Sequence, residues 1–295
     1  MLQKNNIQSY LKLHFIIFIW GFTAVLGALI SLEAIPLVWY RLALALPFLF
    51  FWIKYRKLPL KVSPKSMIKF AIGGFIIALH WVGFFMAIKV SNVSVALVTL
   101  STGAFFTSLL EPLFFKRKIR PLEVFLGILI IGGLFILFRV DNLYLYGMLW
   151  ALLAAFLSAL FSVINGLFVA KHSGFVLSFY QLLFGLLGIS IYLFLNGDFT
   201  SEFFQLNKMD WFYLLLLATV CTAYAFAASI DLMKHLSPYT IMLSINLEPV
   251  YGILLALIVF GEKEKMNTNF YLGALIILGI IIFNGLLKIR KKGNK

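Results

Sequence analysis

The residues of this chain that could do chemistry are few, and most of them interrupt long apolar runs. Glu248 stands near the middle of the run 238–260 and is followed by Pro249. A proline has no N–H, so the Ile245 carbonyl loses its helical partner and a kink is expected there. A carboxyl beside an opened backbone can bind a cation, a proton or an amine; equally, a protonated Glu can simply hydrogen-bond a neighbouring helix. Ser244 and Tyr251 lie four residues before and three after it, so a continuous helix would put all three on one polar stripe. His80 is the second such residue, central in the run 67–89, with Trp81 adjacent and Phe84 one turn on. An imidazole at that depth could shuttle protons near neutral pH, or remain neutral and donate one hydrogen bond inside the bundle. Aromatic neighbours would suit a cavity that stacks planar or cationic groups.

Smaller polar stripes recur at helical spacing. Trp20 and Thr23 share a face, as do Thr99 and Thr102, Thr219 and Thr222, and the trio Ser158, Ser162 and Asn165. Singly, each reads as a helix–helix contact. Together they imply a polar seam along which a substrate could bind: Trp20, Thr23, His80, Trp81, Phe84, Thr99, Thr102, Ser162, Asn165, Thr222, Ser244, Glu248 and Tyr251, with Glu248 and His80 as candidates for proton coupling. Three other charges read as structural. Arg41 lies five residues beyond Pro36, about 7.5 Å of helical rise, and is expected to snorkel outward. Glu111 lies within reach of the block KRKIR, and Asp231 has Lys234 three residues on. No HExxH, paired-carboxylate or Cys/His cluster occurs, so no catalytic residue, metal site or cofactor is expected. The single cysteine, Cys221, has no partner for a disulfide within the chain.

The elements that must position these groups follow from composition. Of 295 residues, 62% are hydrophobic and only 12% charged, and the mean hydropathy is +1.00. So few charges cannot cover the apolar surface of a soluble domain of this size, which excludes a soluble enzyme, a secreted protein or a disordered chain. A helix needs about 20 apolar residues to cross the hydrocarbon core. Ten runs qualify: 13–32, 36–53, 67–89, 93–115, 121–139, 145–170, 174–195, 211–233, 238–260 and 269–287. They do not alternate as barrel strands would. The net charge of +14 is no sign of nucleic-acid binding, because the basic residues sit in short blocks between runs. With the N-terminus inside, nineteen Lys and Arg fall on the cytoplasmic side and five outside, with Arg41 in the membrane. Both termini are therefore expected in the cytoplasm.

The two halves, 1–141 and 142–295, resemble each other. At an offset of 146, LGILIIGG at 126–133 matches LGALIILG at 272–279 in six of eight positions, and at 140 Trp39-Tyr40-Arg41-Leu42 echoes Phe179-Tyr180-Gln181-Leu182. Five spans per half place equivalent loops on opposite sides, and their charges follow: KRKIR after the fourth run answers GEKEK after the ninth. At the 146 offset Thr102 is the counterpart of Glu248, which would set the two across one cavity. The glycines at 127, 132, 133, 273 and 279 would allow close helix packing. An all-α membrane protein of ten helices in two inverted five-helix repeats carries the pattern of secondary transporters, with a substrate site near the midplane.

The residues also resemble a family. Trp20-Gly21, Arg41, the segment HWVGFFMAIKVSNVSVALVTLSTGAFFTSLLEPLFFKRKI at 80–119 and SINLEPVYGILLALIVFGEKEKM at 244–266 are similar to the EamA family of the drug/metabolite transporter superfamily. Gln181 departs from it, standing where the second repeat often carries Arg. The resemblance implies a ten-helix transporter in a bacterial cytoplasmic (inner) membrane, with the lipid bilayer and a small-molecule substrate as partners, as monomer or homodimer. It implies export of amino acids or related metabolites by alternating access. A sugar or nucleotide-sugar importer or exchanger of the same superfamily is the alternative, and a membrane-embedded lipid transferase is the alternative of another class.

Overall fold

The computed structural model describes residues 2–119 and 144–276, with scattered positions in 121–132 and 279–283. Every regular element among them is helical. The helices are α1 (Leu2–Leu29), α2 (Ala34–Tyr55), α3 (Pro64–Val90), α4 (Val93–Leu100), α5 (Gly103–Phe114), α6 (Leu145–Phe168) and α7 (Gly174–Asn196). Then come α8 (Lys208–Leu216), a π-helical stretch (Leu217–Tyr224), α9 (Ala225–Leu232), α10 (Pro238–Ile245) and α11 (Glu248–Phe260). Read as continuous spans, these make eight helices long and apolar enough to cross a membrane among the described residues. The protein is thus an integral membrane protein. Most of the expected spans 121–139 and 269–287 lies outside the described residues, although 268–276 is helical.

Local sequence explains where helices start and stop. Ser63, Asn92, Asn207 and Ser237 each accept a hydrogen bond from the backbone N–H three residues on, and Pro64 and Pro238 occupy first-turn positions that need no donor. Gly197 ends α7 in the left-handed region at φ 74°, and Gly261 ends α11 at φ 57°. Large apolar side chains such as Phe51, Ile68, Leu195 and Ile258 point outward, as lipid-facing side chains do.

Packing mixes the two halves of the chain. α3 lies against both α6 and α7, α1 against α11, and α4 against α11. Close approach is carried by further glycines: a Cβ on Gly74 would collide with the Gln181 carbonyl oxygen of the facing helix, and one on Gly185 would stand 3.0 Å from the Gly74 carbonyl oxygen. Of the five expected glycines, Gly273 is buried, Gly132 and Gly279 have no described atom within 4 Å of an added Cβ, and Gly127 and Gly133 lie outside the described residues.

Two expected spans are discontinuous. The run 93–115 breaks at Ser101–Thr102, between α4 and α5, and the run 238–260 breaks at Asn246–Leu247, between α10 and α11. The breaks are 145 residues apart, one fewer than the 146 offset of the last helices. At each, local side chains take up carbonyls that the break frees. Thr102 Oγ1 donates to the Thr99 carbonyl at 2.8 Å, while Asn246 Nδ2 donates to Met242 and Leu243 carbonyls at 3.1 and 3.2 Å.

The broken helices also clasp each other at both ends. At the end carrying the basic blocks, Glu111 of α5 accepts the Tyr239 N–H in the first turn of α10 at 2.7 Å and pairs with Arg117 at 3.0 Å. At the opposite end Glu264, just past α11, accepts the Val93 and Ser94 N–H groups of α4 at 2.9 and 3.1 Å and the Ser94 hydroxyl at 2.9 Å. Nearby, Asp210 of α8 accepts the Ser31 N–H at 2.8 Å and, with its other oxygen, the Ser31 hydroxyl, tying the α1–α2 turn to α8.

Candidate functional site

Both helix breaks end at one cavity of about 90 Å³ between the two halves. α1 contributes Trp20 and Thr23, α2 contributes Arg41, and α3 contributes His80, Trp81 and Phe84. The first break adds Ser101, and α6 adds Ser158, Phe161 and Ser162. From the other side come Phe226 and Ser229 of α9, then Asn246, Glu248 and Pro249 of the second break.

Arg41 overturns its expected role. It does not snorkel outward but is 2% exposed and lies in the cavity wall. Its Nε donates to Thr222 Oγ1 at 2.6 Å and its guanidinium carbon stacks 3.9 Å from the Trp81 ring centroid. Helical periodicity places it there, since Leu37, Val38, Leu42 and Ala45 on the same face are all buried. Its Nη1 has no hydrogen-bond partner among the described residues.

The anchor on which Arg41 rests is the π-helical stretch. Its wide turns let Thr222 Oγ1 donate to the Leu217 carbonyl five residues back at 2.7 Å while accepting from Arg41. The same stretch presents the Cys221 carbonyl to Trp20 Nε1 at 3.1 Å, fixing that indole at the cavity wall. Across the cavity, His80 donates from Nδ1 to the Ala154 carbonyl of α6 at 2.8 Å. A carbonyl only accepts, so this bond sets the tautomer and leaves Nε2 as an acceptor.

Glu248 opens α11 and lines the cavity at 6% exposed, and it makes no hydrogen bond or ion pair with a described residue. The expected polar stripe through Ser244, Glu248 and Tyr251 does not form, because the break turns the chain between them. Ser244 Oγ donates to the Thr240 carbonyl at 3.0 Å, and the Tyr251 hydroxyl meets His14 Nε2 at 2.7 Å on an exposed face.

Of the thirteen residues expected along the seam, seven therefore line the cavity: Trp20, Thr23, His80, Trp81, Phe84, Ser162 and Glu248. Thr99, Thr102, Asn165, Thr222, Ser244 and Tyr251 do not. Thr102 turns its hydroxyl onto its own helix, so it does not face Glu248 across the cavity. Asn165 Oδ1 accepts from Gln181 Nε2 at 2.7 Å, a contact between α6 and α7. Sequence reasoning missed Arg41, Ser101, Ser229 and Asn246 as wall residues. The expected structural roles of Glu111 and Asp231 match their contacts: Glu111 pairs with Arg117, and Asp231 meets Lys234 at 2.6 Å and the Gly174 N–H at 3.0 Å. No group of three or more His, Cys, Asp or Glu among the described residues could hold a metal ion.

The comparisons with known proteins agree with this architecture. An uncharacterized transporter of Bacillus subtilis, YxxF, is 23% identical over 301 residues, covering 98% of this chain and 92% of its own. An uncharacterized transporter of Clostridium kluyveri is 24% identical over 216 residues, covering 70% and 68%. A protein of known crystal structure shares the fold, with a TM-score of 0.71 at 16% identity over 95% of this chain and 98% of the other. The EamA-like transporter family matches twice, at residues 9–139 and 145–286. With one match on each side of the cavity and nearly the whole chain covered, this protein belongs to the EamA-like transporter family.

Proposed function

We propose that this transporter exports small polar metabolites, amino acids or close relatives of them, by alternating exposure of the central cavity. The observation that carries this reading is the meeting of two broken helices, one from each half, at a single polar and aromatic cavity. The units that move against each other are the halves 1–141 and 142–295, each a five-helix repeat in opposite orientation. Because Lys and Arg are retained in the cytoplasm, the basic end with Glu111 faces inward, both termini are cytoplasmic, and Glu264 faces outward. The membrane is then the bacterial inner membrane. Opening the cavity to one side requires release of the clasp at that side, with the other clasp closed. Glu248 and His80 supply titratable groups at the cavity, which makes coupling to a proton gradient part of the proposal.

A nucleotide-sugar fits less well: its diphosphate would bring two or more negative charges to a wall that holds one guanidinium and one carboxylate. The test is counterflow in proteoliposomes loaded with unlabelled amino acids, with and without an imposed pH gradient. Saturable counterflow that rises with the gradient and is lost in Glu248→Gln supports the reading. Flux that neither saturates nor shows counterflow identifies a channel and overturns it. Counterflow indifferent to the gradient, with Glu248→Gln unimpaired, removes proton coupling alone.

A further inference from the structure

The cavity wall carries one guanidinium and one carboxyl group that do not satisfy each other. Arg41 and Glu248 both line it, yet no ion pair within 4.0 Å joins them. Arg41 is held on two sides, by Thr222 at Nε and by the Trp81 ring against its guanidinium, and neither Nη1 nor Nη2 makes a hydrogen bond to a described residue. Glu248 is likewise buried and has no hydrogen bond to a described residue. A guanidinium and a carboxyl group kept apart at a membrane's depth are costly to hold charged unless something bridges them.

We propose that Arg41 and Glu248 are the two ends of a site for a zwitterion: the Arg41 guanidinium takes the carboxylate of a small neutral α-amino acid, and Glu248 takes its ammonium group. The inference rests on the transport reading above and specifies its substrate. A ligand with both charges leaves neither wall group unpaired. A ligand lacking one charge buries the opposite group alone, which is the strongest form of rejection such a site has. Size and lining narrow the class further. A cavity of about 90 Å³ holds on the order of half a dozen water-sized groups, which matches a small amino acid. Away from the two charges the wall mixes the aromatic Trp20, Phe84, Phe161 and Phe226 with the uncharged Ser101, Ser162, Ser229 and Asn246, and it holds no second carboxyl, lysine or arginine to pair with a charged side chain. Thr222 is then a positioning residue. It contacts Arg41 and holds the guanidinium, and it does not line the cavity.

The wild-type protein tests this without any substitution. Trp20 and Trp81 line the cavity, so their fluorescence reports occupancy in lipid nanodiscs. L-alanine is compared with ethylamine, which lacks the carboxylate, and with propionate, which lacks the ammonium group. L-alanine is expected to bind at least about 100-fold more tightly than either. Arg41→Gln is expected to weaken alanine while ethylamine binds as tightly as before or more so, and Glu248→Gln to weaken alanine while propionate binds as tightly as before or more so, because each substitution removes the group that the one-charge ligand leaves unpaired. A merely structural role would weaken all the ligands alike, in both variants. The proposal is overturned if wild-type protein binds ethylamine or propionate as well as alanine, if alanine fails to bind at millimolar concentration, or if the variants lose every ligand equally. Counterflow that persists with other metabolites after such a result leaves the transport reading standing. Absence of counterflow with any amino acid or other small polar metabolite removes that reading as well.

Discussion

The clasp at the basic end and the clasp at the opposite end join the same pair of broken helices, and they are built differently. Glu111 takes one backbone N–H of α10, from Tyr239, and leans on the charge of Arg117. Glu264 takes two backbone N–H groups and a hydroxyl at the start of α4, and among the described residues no ion pair backs it. The first depends on a cation that remains 27% exposed. The second depends on the fixed donors and dipole of a helix N-terminus, which no side-chain substitution removes. One carboxylate is therefore tuned by its surroundings and the other by backbone geometry. Under alternating access, that difference lets the two ends open with different ease.

Three substitutions or conditions test that contrast, in falling order of effect. Glu264→Ala leaves three buried donors without their acceptor and is expected to cost about 3 kcal/mol or more, read as thermal stability in detergent. Counterflow is expected to fall at least about tenfold with it. A loss below about 1 kcal/mol would mean that other contacts hold that end. Glu111→Gln keeps an acceptor for the Tyr239 N–H and gives up the charge on Arg117, so about 1–2 kcal/mol is expected from the same measurement. If it proves as costly as Glu264→Ala, the clasps are alike and the contrast fails. Smallest is salt: raising ionic strength to about 1 M should weaken the Glu111 clasp by about 0.5 kcal/mol and leave the Glu264 clasp unmoved. The substitutions Ser94→Cys and Tyr239→Cys would report each end directly, because the chain's one native cysteine, Cys221, is buried. With the clasps loosened selectively, maleimide should label the Ser94→Cys thiol faster from its side of the membrane when Glu264→Ala is added. The Tyr239→Cys thiol should label faster from the opposite side when Glu111→Gln is added.

Much of the fold was legible because membrane burial writes itself in run length, and the basic blocks lie where loops must be. Charged and aromatic residues at depth were legible for the same reason: Glu248, His80, Trp20 and Trp81 all reach the cavity. Hydroxyls were not. A Thr or Ser inside a helix can bond its own preceding turn as readily as it can face a cavity, and Thr102, Thr219 and Ser244 do so. Spacing cannot separate these outcomes. Arg41 was misjudged from its distance to the helix end. The better clue is the pattern of the helix: the large aromatics Trp39 and Phe50 lie on the opposite face, whereas Ala34, Leu37, Val38 and Ala45 share the face of Arg41 and are buried. The breaks were half visible. Pro249 announced the second, whereas Ser101–Thr102 has only Gly103 beside it, and the true one-residue difference in repeat offset is invisible where apolar helices look alike.

The π-helical stretch has a consequence for how this chain tolerates lost residues. A turn closed five residues on, in place of four, stores one residue more than the α-helix around it needs. Removing one residue from Leu217–Tyr224 would let that turn tighten to an ordinary one, with α8 and α9 still in phase. The helices would survive, but the Cys221 carbonyl and the Thr222 hydroxyl would leave Trp20 and Arg41. The same deletion in α3 has no such reserve, and would swing everything beyond it by about 100°. The spare residue is thus dispensable to the architecture and required by the cavity, so a deletion there would yield a folded protein with its arginine adrift.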